Sequence, residues 1–153
     1  MFHIILYQPE IPPNTGNIMR LATNTGSTLS LVRPLGFTLE DTKLKRAGLD
    51  YSDWVNVKAY DTLDECLSSV AKDRIFAFST KGALRLDEVN FQQGDTFIFG
   101  PETRGLPVDV RNRFMETCVR IPMRPQSRSL NLSNAVSVAV FEAWRQQNFA
   151  GAK

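Results

Sequence analysis

Hydroxyl and amide side chains crowd the stretch RSLNLSN, residues 128–134, which holds two serines and two asparagines directly before an apolar run. The stretch contains no histidine, and no carboxylate follows it before Glu142. Serine and asparagine are good helix N-caps and poor interior residues, but one helix start needs only one cap. The surplus favours a site that holds its ligand by hydrogen bonds rather than by acid–base side chains.

Two further stretches could contribute to such a site. FGPETRGLP, residues 99–107, has two glycines, which let a backbone approach a ligand closely, and two prolines, which fix the shape of a loop. Within it, Glu102 and Arg104 are candidates to contact a ligand or RNA, and the alternative is an ordinary tight turn. NTGNIMR places Arg20 six residues after Asn14, on a predicted helix that could aim it over the same site. The alternative is a surface arginine with Asn14 as the N-cap.

Several familiar chemistries lack their sequence patterns. The chain has no GxxxxGK[ST] phosphate loop, no GxGxxG after its first apolar stretch, no GxSxG turn and no HExxH or Cys/His cluster. The single histidine, His3, lies inside a predicted strand, where a structural role is the better interpretation. Nucleotide hydrolysis, ordinary dinucleotide binding and metal-dependent chemistry therefore have little support, and no metal site is predicted.

The net charge of +2 is unevenly distributed along the chain. Residues 101–153 hold eight Lys/Arg against four Asp/Glu, whereas residues 51–100 hold five against eight. Most of the C-terminal basic residues are arginines, whose planar guanidinium groups can each bind two phosphate oxygens. On charge alone, a nucleic-acid partner and a solvated basic face explain this pattern equally well.

The chain shows no pattern of a membrane or secreted protein. Its longest uncharged stretch, residues 129–141, is too short to span a bilayer, and the start MFHIILYQPE lacks the basic region and cleavage site of a signal peptide. Cys66 and Cys118 lie in unrelated segments, which favours buried thiols in a reducing compartment. We therefore expect a cytoplasmic protein with no membrane association, folded as a single domain over residues 1–153.

Short apolar stretches alternate with helical patterns along the chain. The predicted strands are residues 2–8, 28–34, 54–60, 74–80, 95–100 and 117–122. The predicted helices are residues 14–26, 62–72, 107–114 and 132–148, and Thr62 and Glu65 have the spacing of a capping box. This alternation predicts an α/β fold with a mostly parallel sheet and helices on both faces. The last helix is apolar over more than one face, so it is buried on several sides or meets a partner chain.

Ligands of open parallel sheets bind beyond the carboxyl ends of the strands. The segments that follow four of the predicted strands are residues 8–20, 79–82, 99–107 and 122–134, and they hold most of the candidate residues. The topology therefore predicts that these four segments converge at one edge of the sheet.

Three long stretches resemble the motifs of the SPOUT superfamily of RNA methyltransferases. They are PEIPPNTGNIMRLA (residues 9–22), FGPETRGLP, and RIPMRPQSRSLNLSNAVSVAVFEAWRQ (residues 120–146). The chain is similar to the minimal 2′-O-ribose branch, and AGLDYSDW (residues 47–54) also fits the subgroup that acts on the tRNA wobble nucleotide. The resemblance covers essentially the whole chain. It implies a feature that periodicity does not predict, a C-terminal trefoil knot made by threading the chain through a loop.

The resemblance also implies a pocket for S-adenosylmethionine within the knot. The residues matched to that pocket are Phe78, Gly100, Glu102, Gly105, Leu106, Ile121, Ser129, Leu130 and Asn134. It further implies a homodimer with the active site at the interface, which would explain the broad apolar surface of the last helix. Methyl transfer from a sulfonium to an oxygen needs alignment and charge stabilisation but no metal.

Arg20, Ser129 and Asn131 match the catalytic positions of the family. The resemblance implies that Arg20 acts from the partner subunit. Arginine is rarely neutral in a protein, so we expect Arg20 to stabilise the developing ribose oxyanion rather than to act as a base. Ser129 and Asn131 would position the 2′-OH and Arg20 by hydrogen bonds. The residues expected to hold tRNA phosphates are Lys45, Arg46, Arg104, Arg124 and Arg128.

The activity implied by the resemblance is methyl transfer from S-adenosylmethionine to the ribose 2′-OH of the pyrimidine at the tRNA wobble position. Two alternatives stay open. One is the same chemistry at another tRNA position or on ribosomal RNA. The other is a non-catalytic RNA-binding module on the same scaffold.

Overall fold

Parallel strands and short helices alternate along the chain in the computed structural model, which describes residues 1–45 and 48–153. The strands are β1 (His3–Tyr7), β2 (Thr28–Val32), β3 (Val57–Tyr60), β4 (Ile75–Phe78), β5 (Leu84–Arg85), β6 (Thr96–Phe99) and β7 (Cys118–Arg120). The helices are α1 (Pro12–Thr25), α2 (Thr42–Lys45), α3 (Tyr51–Trp54), α4 (Leu63–Leu67), α5 (Val108–Arg113) and α6 (Leu132–Gln146). Single 3₁₀ turns span Leu86–Glu88 and Met115–Thr117.

The described strands form one parallel sheet in the order β3-β2-β1-β6-β4-β7-β5. Strands β4 and β6 are buried at every residue, as expected where helices cover both faces of a parallel sheet. All six predicted strands are confirmed, and β5 was missed because two residues carry no detectable pattern. His3 Nδ1 lies 2.6 Å from Thr28 Oγ1 on the neighbouring strand, which fits the structural role expected for this histidine.

Helices cover both faces of the sheet, as predicted. On one face, α1 and α6 pack over alternate strand residues such as Ile4, Leu6 and Phe97. On the other face, α4 and α5 pack over Ile5 and Ile98. Because α1 and α6 lie side by side in one layer, whatever covers α6 from outside also approaches α1.

The first helix begins at Pro12, two residues before the predicted start at Asn14. Proline suits the first turn because its fixed φ is helical and its missing N–H would have no intrahelical partner. The N-cap residue is Ile11, whose side chain cannot cap, so the helix takes its cap from a distant residue described below. Thr62 caps α4 by accepting a hydrogen bond from the Glu65 N–H, which confirms its predicted N-cap role, although α4 ends at Leu67 rather than at residue 72.

The last strand, β7, lies between two strands that precede it in the chain. Its neighbours β4 and β5 are joined by residues 79–83, so this connection must cross β7. The crossing is close: a Cβ at Gly82 would lie 2.5 Å from the carbonyl carbon of Val119 and 2.7 Å from the nitrogen of Arg120. Only glycine fits there without movement of the backbone. The crossing supplies a loop of the kind that the expected C-terminal knot requires.

Candidate active site

The predicted convergence of four segments is confirmed by a cavity of about 510 Å³ at the carboxyl ends of β1, β4, β6 and β7. Each of the four segments contributes to its wall. The lining residues are Ile11, Asn14, Phe78, Ser79, Thr80, Lys81, Phe99, Gly100, Pro101, Glu102, Thr103, Arg104, Gly105, Leu106, Arg111, Val119, Ile121, Met123, Ser129, Leu130, Asn131, Leu132 and Ala135. Residues far apart in the sequence therefore form one site because the strands run in parallel.

Most of the residues matched to a cofactor pocket line this cavity. They are Phe78, Gly100, Glu102, Gly105, Leu106, Ile121, Ser129 and Leu130. Asn134 is outside it, exposed on the outer side of α6. Its position follows from helical geometry, since Asn134 is three residues beyond the N-cap Asn131 and turned away from the sheet. The role of all nine residues in cofactor binding stays a prediction.

Gly100 shapes the floor of the cavity. A Cβ at this position would overlap the backbone of Gly105 and Leu106, so the loop of residues 100–106 can fold back on itself only with glycine here. Gly105 has a positive φ of 67°, which glycine adopts at no steric cost. The two glycines thus bring the backbone of this loop to the cavity wall.

Glu102 joins this loop to the start of α1. Its carboxylate accepts hydrogen bonds from the N–H groups of Glu10 and Ile11, both at 2.8 Å, and from Asn14 Nδ2 at 3.2 Å. A carboxylate at a helix N-terminus satisfies free N–H groups and is favoured by the helix dipole. Both oxygens of Glu102 are thereby engaged, so the geometry favours a positioning role over direct ligand binding.

Glu10 returns the contact in the opposite direction. Its Oε1 accepts hydrogen bonds from the backbone N–H of Thr103 at 2.9 Å and from the Thr103 hydroxyl at 2.8 Å. These bonds from Thr103, the backbone bond first, hold the pKa of Glu10 below its ordinary value. Glu10 and Glu102 each accept hydrogen bonds from the other's segment, and together these bonds hold the segment after β1 against the segment after β6.

Two asparagines extend this contact to α6. Asn131 Nδ2 donates to Asn14 Oδ1 at 3.0 Å. Asn131 Oδ1 caps α6 by accepting from the Ser133 N–H at 2.9 Å and the Ser133 hydroxyl at 2.6 Å. Asn131 therefore has two functions, one as the N-cap and one as a link through Asn14 to Glu102. This explains part of the Ser/Asn surplus in residues 128–134 and leaves Ser129 exposed at the cavity.

Arg20 lies outside the cavity lining, on the exposed side of α1. Its Nε donates to Asp53 Oδ2 at 3.1 Å, and its Nη2 donates to the carbonyl of Gly48. Burial acts to raise the pKa of Asp53, but hydrogen bonds from Asp50, Thr23 and Arg20 outweigh it and hold the pKa below its usual value. The Arg20 guanidinium is thus held in one orientation by an ionised, buried carboxylate.

The residues predicted to hold RNA occupy different parts of the surface. Arg104 lines the cavity and lies 3.9 Å from Glu10 Oε2. Arg124 and Arg128 are exposed in the loop between β7 and α6. Arg46 is outside the described residues, and so is the side chain of Lys45.

Sequence reasoning missed several residues that the fold brings to the site. Lys81, Thr103 and Arg111 line the cavity, and Asp53 orients Arg20. Lys81 follows a strand at the predicted edge, so its position was a usable signal. Nothing in the sequence pairs Asp53 with Arg20, because 33 residues separate them.

Within residues 1–45 and 48–153, the structure contains no cluster of three or more His, Cys, Asp or Glu able to hold a metal ion. No helix in this part of the chain is long and apolar enough to cross a membrane. Both cysteines are free and buried, and burial raises the pKa of each thiol.

Known proteins resemble this chain over almost its whole length. The model of the SpoU rRNA Methylase family matches residues 1–141. A protein of Methylovorus glucosotrophus named tRNA (cytidine(34)-2′-O)-methyltransferase is 58% identical over 153 residues, which are 99% of each chain. A solved structure described as giving structural insights into the 2-OH methylation of C/U34 on tRNA has a TM-score of 0.91 and 49% identity over 97% of each chain.

A more distant structure shares the fold. The SpoU methyltransferase AviRb from Streptomyces viridochromogenes, solved in complex with AdoMet, has a TM-score of 0.80 at 23% identity, over 98% of this chain and 58% of its own. Likeness to the SpoU structures implies the C-terminal knot that the sequence resemblance predicted, and the crossing of β7 by residues 79–83 agrees with it.

Proposed function

The chain belongs to the SpoU rRNA Methylase family, and we propose that it is an S-adenosylmethionine-dependent tRNA 2′-O-ribose methyltransferase. The proposed target is the wobble pyrimidine, nucleotide 34, as in the names of its full-length relatives. The observation that carries the proposal is the cavity in which a glycine-shaped backbone loop meets Ser129 and Asn131. That combination suits a reaction that needs a bound donor and a positioned hydroxyl but no acid–base side chain.

The cavity fits S-adenosylmethionine in its chemistry. Phe78, Leu106 and Ile121 supply apolar wall suited to a flat purine, and the backbone of residues 100–105 supplies N–H and C=O groups for its polar edges. Gly100 keeps this backbone close to the ligand. When bound, S-adenosylmethionine supplies a methyl group on a positively charged sulfur.

Ser129 and Asn131 hold the ribose in the proposed mechanism. Both line the cavity, and Asn131 is fixed by its contacts with Asn14 and Ser133. A fixed amide beside an exposed hydroxyl can orient the 2′-OH by hydrogen bonds at small entropic cost. The N-terminus of α6 carries a partial positive charge, which favours the oxygen as it becomes negative.

Arg20 completes the proposed site from a second protomer. It lies outside the cavity of its own chain, with its guanidinium at the surface and oriented by Asp53. A guanidinium stays charged at all working pH values, so it stabilises the oxyanion but does not take up the proton. We propose that the 2′-OH proton passes to solvent, by way of a phosphate oxygen of the RNA, as the oxygen–methyl bond forms and the sulfur–methyl bond breaks to leave S-adenosylhomocysteine. Because Arg20 lies outside the cavity of its own chain, the proposal assigns it to the site of the partner.

The outer side of α6 supports the proposed homodimer. Its exposed residues recur at helical spacing and are Asn134, Val138, Phe141 and Arg145. Val138 is 41% exposed and Phe141 is 42% exposed. Two exposed apolar side chains one turn apart on a helix favour burial against a partner. In a twofold dimer the same patch meets itself, which would bring both copies of α1 to the interface beside α6.

The remaining features of the proposal concern the partner RNA and the location. Arg104, Arg124 and Arg128 are proposed to contact tRNA phosphates, because exposed arginines bind them well. Residues 1–153 are proposed to form one methyltransferase domain, since a single sheet and its two helical layers extend from β1 to α6. A tRNA substrate and two free thiols support a cytoplasmic location.

Mapping 2′-O-methyl groups in total RNA, with and without the protein, tests the proposal. We expect one new methyl group at nucleotide 34 of a subset of tRNAs. A methyl group only in ribosomal RNA or elsewhere in tRNA would replace the proposed target. Binding of S-adenosylmethionine without transfer to any RNA would contradict the enzymatic proposal and favour a binding module.

The variant Arg20→Ala tests the catalytic part of the proposal. We expect methylation to be lost while calorimetry shows unchanged affinity for S-adenosylmethionine. Arg33→Ala is a matched control, because Arg33 is also a half-exposed arginine paired with an aspartate, Asp61. Loss of cofactor affinity in step with activity in Arg20→Ala would count against the proposed role.

A further inference from the structure

A second depression, which we call the arginine groove, lies beside the cavity and has a volume of about 610 Å³. It is lined by Thr80, Arg85, Arg120, Ile121, Pro122, Met123, Arg124, Ser127 and Ser129. Every charged residue in this lining is an arginine. Thr80, Ile121, Met123 and Ser129 also line the cavity, so the two spaces share a wall.

The three arginines differ in how they are held. Arg120 Nη1 donates to the carbonyls of Gly82 at 3.1 Å and Ala83 at 3.0 Å, which fixes this side chain against the segment that crosses β7. Arg85 donates to both carboxylate oxygens of Asp87, which balances its charge. The excess positive charge of the arginine groove therefore comes from Arg120 and from Arg124, which is exposed.

Guanidinium groups combined with hydroxyls form a surface suited to phosphate oxygens. Ser129 connects this surface to the reaction, because it lines both spaces and is the proposed contact of the 2′-OH. In RNA, the anion nearest to a 2′-OH is the phosphodiester on the adjacent O3′ of the same ribose. A ribose with its 2′-OH at Ser129 would thus present this phosphodiester to the neighbouring arginine groove.

We propose that the arginine groove binds the phosphodiester 3′ to the methylated ribose, through Arg120 and Arg124. The proposal rests on the proposed function, since it requires the 2′-OH to lie at Ser129. It fixes the direction in which the RNA strand leaves the site and accounts for selection of a ribose within a chain over a free nucleoside. The carboxylate of S-adenosylmethionine has anionic oxygens of the same kind, and the experiment must separate it from RNA.

Two variants remove charge from the arginine groove. Arg124→Ala removes an exposed side chain, and Arg120→Gln keeps an amide that can still donate to the carbonyls of Gly82 and Ala83. Lys72→Ala is the control, because it removes the same charge from an exposed residue before the amino end of β4, whereas the arginine groove lies at the carboxyl ends of the strands. Direct tRNA binding is measured over a range of salt concentrations, and cofactor affinity is measured by calorimetry.

We expect each groove variant to weaken tRNA binding by about tenfold, as for loss of one charge-assisted contact. The slope of log affinity against log salt should fall by about 1 when both arginines are removed, as for one phosphate contact, and the control should leave it unchanged. Cofactor affinity should stay at the wild-type value. A fall in cofactor affinity with unchanged tRNA affinity would assign the arginine groove to the cofactor carboxylate, and unchanged affinity for both would overturn the proposal.

A tRNA with one uncharged backbone linkage tests which phosphodiester the arginine groove binds. We expect a tRNA with a single methylphosphonate 3′ to nucleotide 34 to bind wild-type protein about tenfold more weakly. The same substitution should cost the double variant Arg120→Gln/Arg124→Ala nothing further, because both proposed partners of that phosphodiester are then gone. Additive losses would place the contact elsewhere. Failure of the wild-type protein to methylate any tRNA would contradict the proposed function, whereas these binding measurements still decide the role of the arginine groove.

Discussion

Replacing Asp53 with asparagine removes the negative charge beside Arg20 and keeps the size of the side chain. Arg20 Nε lies 3.1 Å from Asp53 Oδ2, and the Asp53 side chain is 1% exposed while that of Arg20 is 42% exposed. The substituted asparagine would keep an acceptor for the Asp50 N–H but lose the charge that holds the guanidinium. Arg20 would then be free to sample other rotamers at the surface.

The expected loss of rate follows from this freedom. An unrestrained arginine side chain carries about 2 kcal/mol of rotamer entropy. If Arg20 must regain one orientation in each turnover, that amount is added to the barrier, and the rate falls by about thirtyfold. The cost to folding stability should be smaller, about 1 kcal/mol, because Arg20 is partly exposed and solvent screens the pair.

Single-turnover methylation with saturating tRNA and S-adenosylmethionine measures this effect. We expect Asp53→Asn to slow methyl transfer while leaving cofactor and tRNA affinities unchanged, and Asp53→Glu to restore part of the rate. Asp61→Asn is the control, since Asp61 pairs with Arg33 at 3.2 Å on an exposed surface.

The double variant Arg20→Ala/Asp53→Asn distinguishes orientation from general damage. If Asp53 acts only through Arg20, the second change should cost nothing once Arg20 is gone. Additive losses, or equal rates for Asp53→Asn and Asp61→Asn, would refute the reasoning.

Three further predictions concern stability, the cavity and assembly. Hydrogen bonds from Thr103 lower the pKa of Glu10, so they stabilise the folded protein above pH 4.5, and this stabilisation is lost as the pH falls through the lower pKa of the folded state. The difference in melting temperature between wild type and Glu10→Gln should therefore shrink on acidification. A difference that grows would contradict this prediction. Gly100→Ala should abolish cofactor binding in calorimetry, because its Cβ would overlap the backbone of the 100–106 loop. Gly26→Ala, in open space at φ 69°, is the control and should cost only about 1 kcal/mol of stability. Equal cofactor affinities of Gly100→Ala and wild type would count against the assigned cavity. Phe141→Asp should convert the proposed dimer to monomer in light scattering, with Val108→Asp, at another exposed apolar site, remaining dimeric; a dimeric Phe141→Asp protein would exclude α6 as the interface.

The local sequence pattern was sufficient to predict the parallel sheet and to place the site at the carboxyl ends of its strands. The strand stretches are short, apolar and bounded by turn residues, so their position and type could be predicted, and the rule for parallel sheets then brought their following segments together. The two-residue strand β5 could not be found, because Leu84 and Arg85 pair only through the presence of β7. The knot came from family resemblance, since no local pattern encodes threading.

Contacts between distant residues account for most of what the sequence did not show. The start of α1 was misplaced because its cap is Glu102, about ninety residues away, rather than a neighbouring side chain. Asn131 is proposed to act at the ribose, and its hydrogen bond to Asn14, 117 residues away, could not be predicted from its neighbours in the sequence. Asn134 was matched to the cofactor by motif, yet its place in the helical turn directs it outward.

The crossing of β7 by residues 79–83 also has a consequence for biosynthesis. The chain leaves the ribosome from its N-terminus, so β4, the crossing segment and β5 all exist before β7 and α6. The cavity wall formed by residues 121–135 is absent until this last portion has taken its place. A truncated or half-assembled chain therefore lacks this part of the pocket wall, and a ligand that binds only the finished fold stabilises only the finished fold. Ligand binding at this pocket therefore requires that both synthesis and folding of the chain are complete.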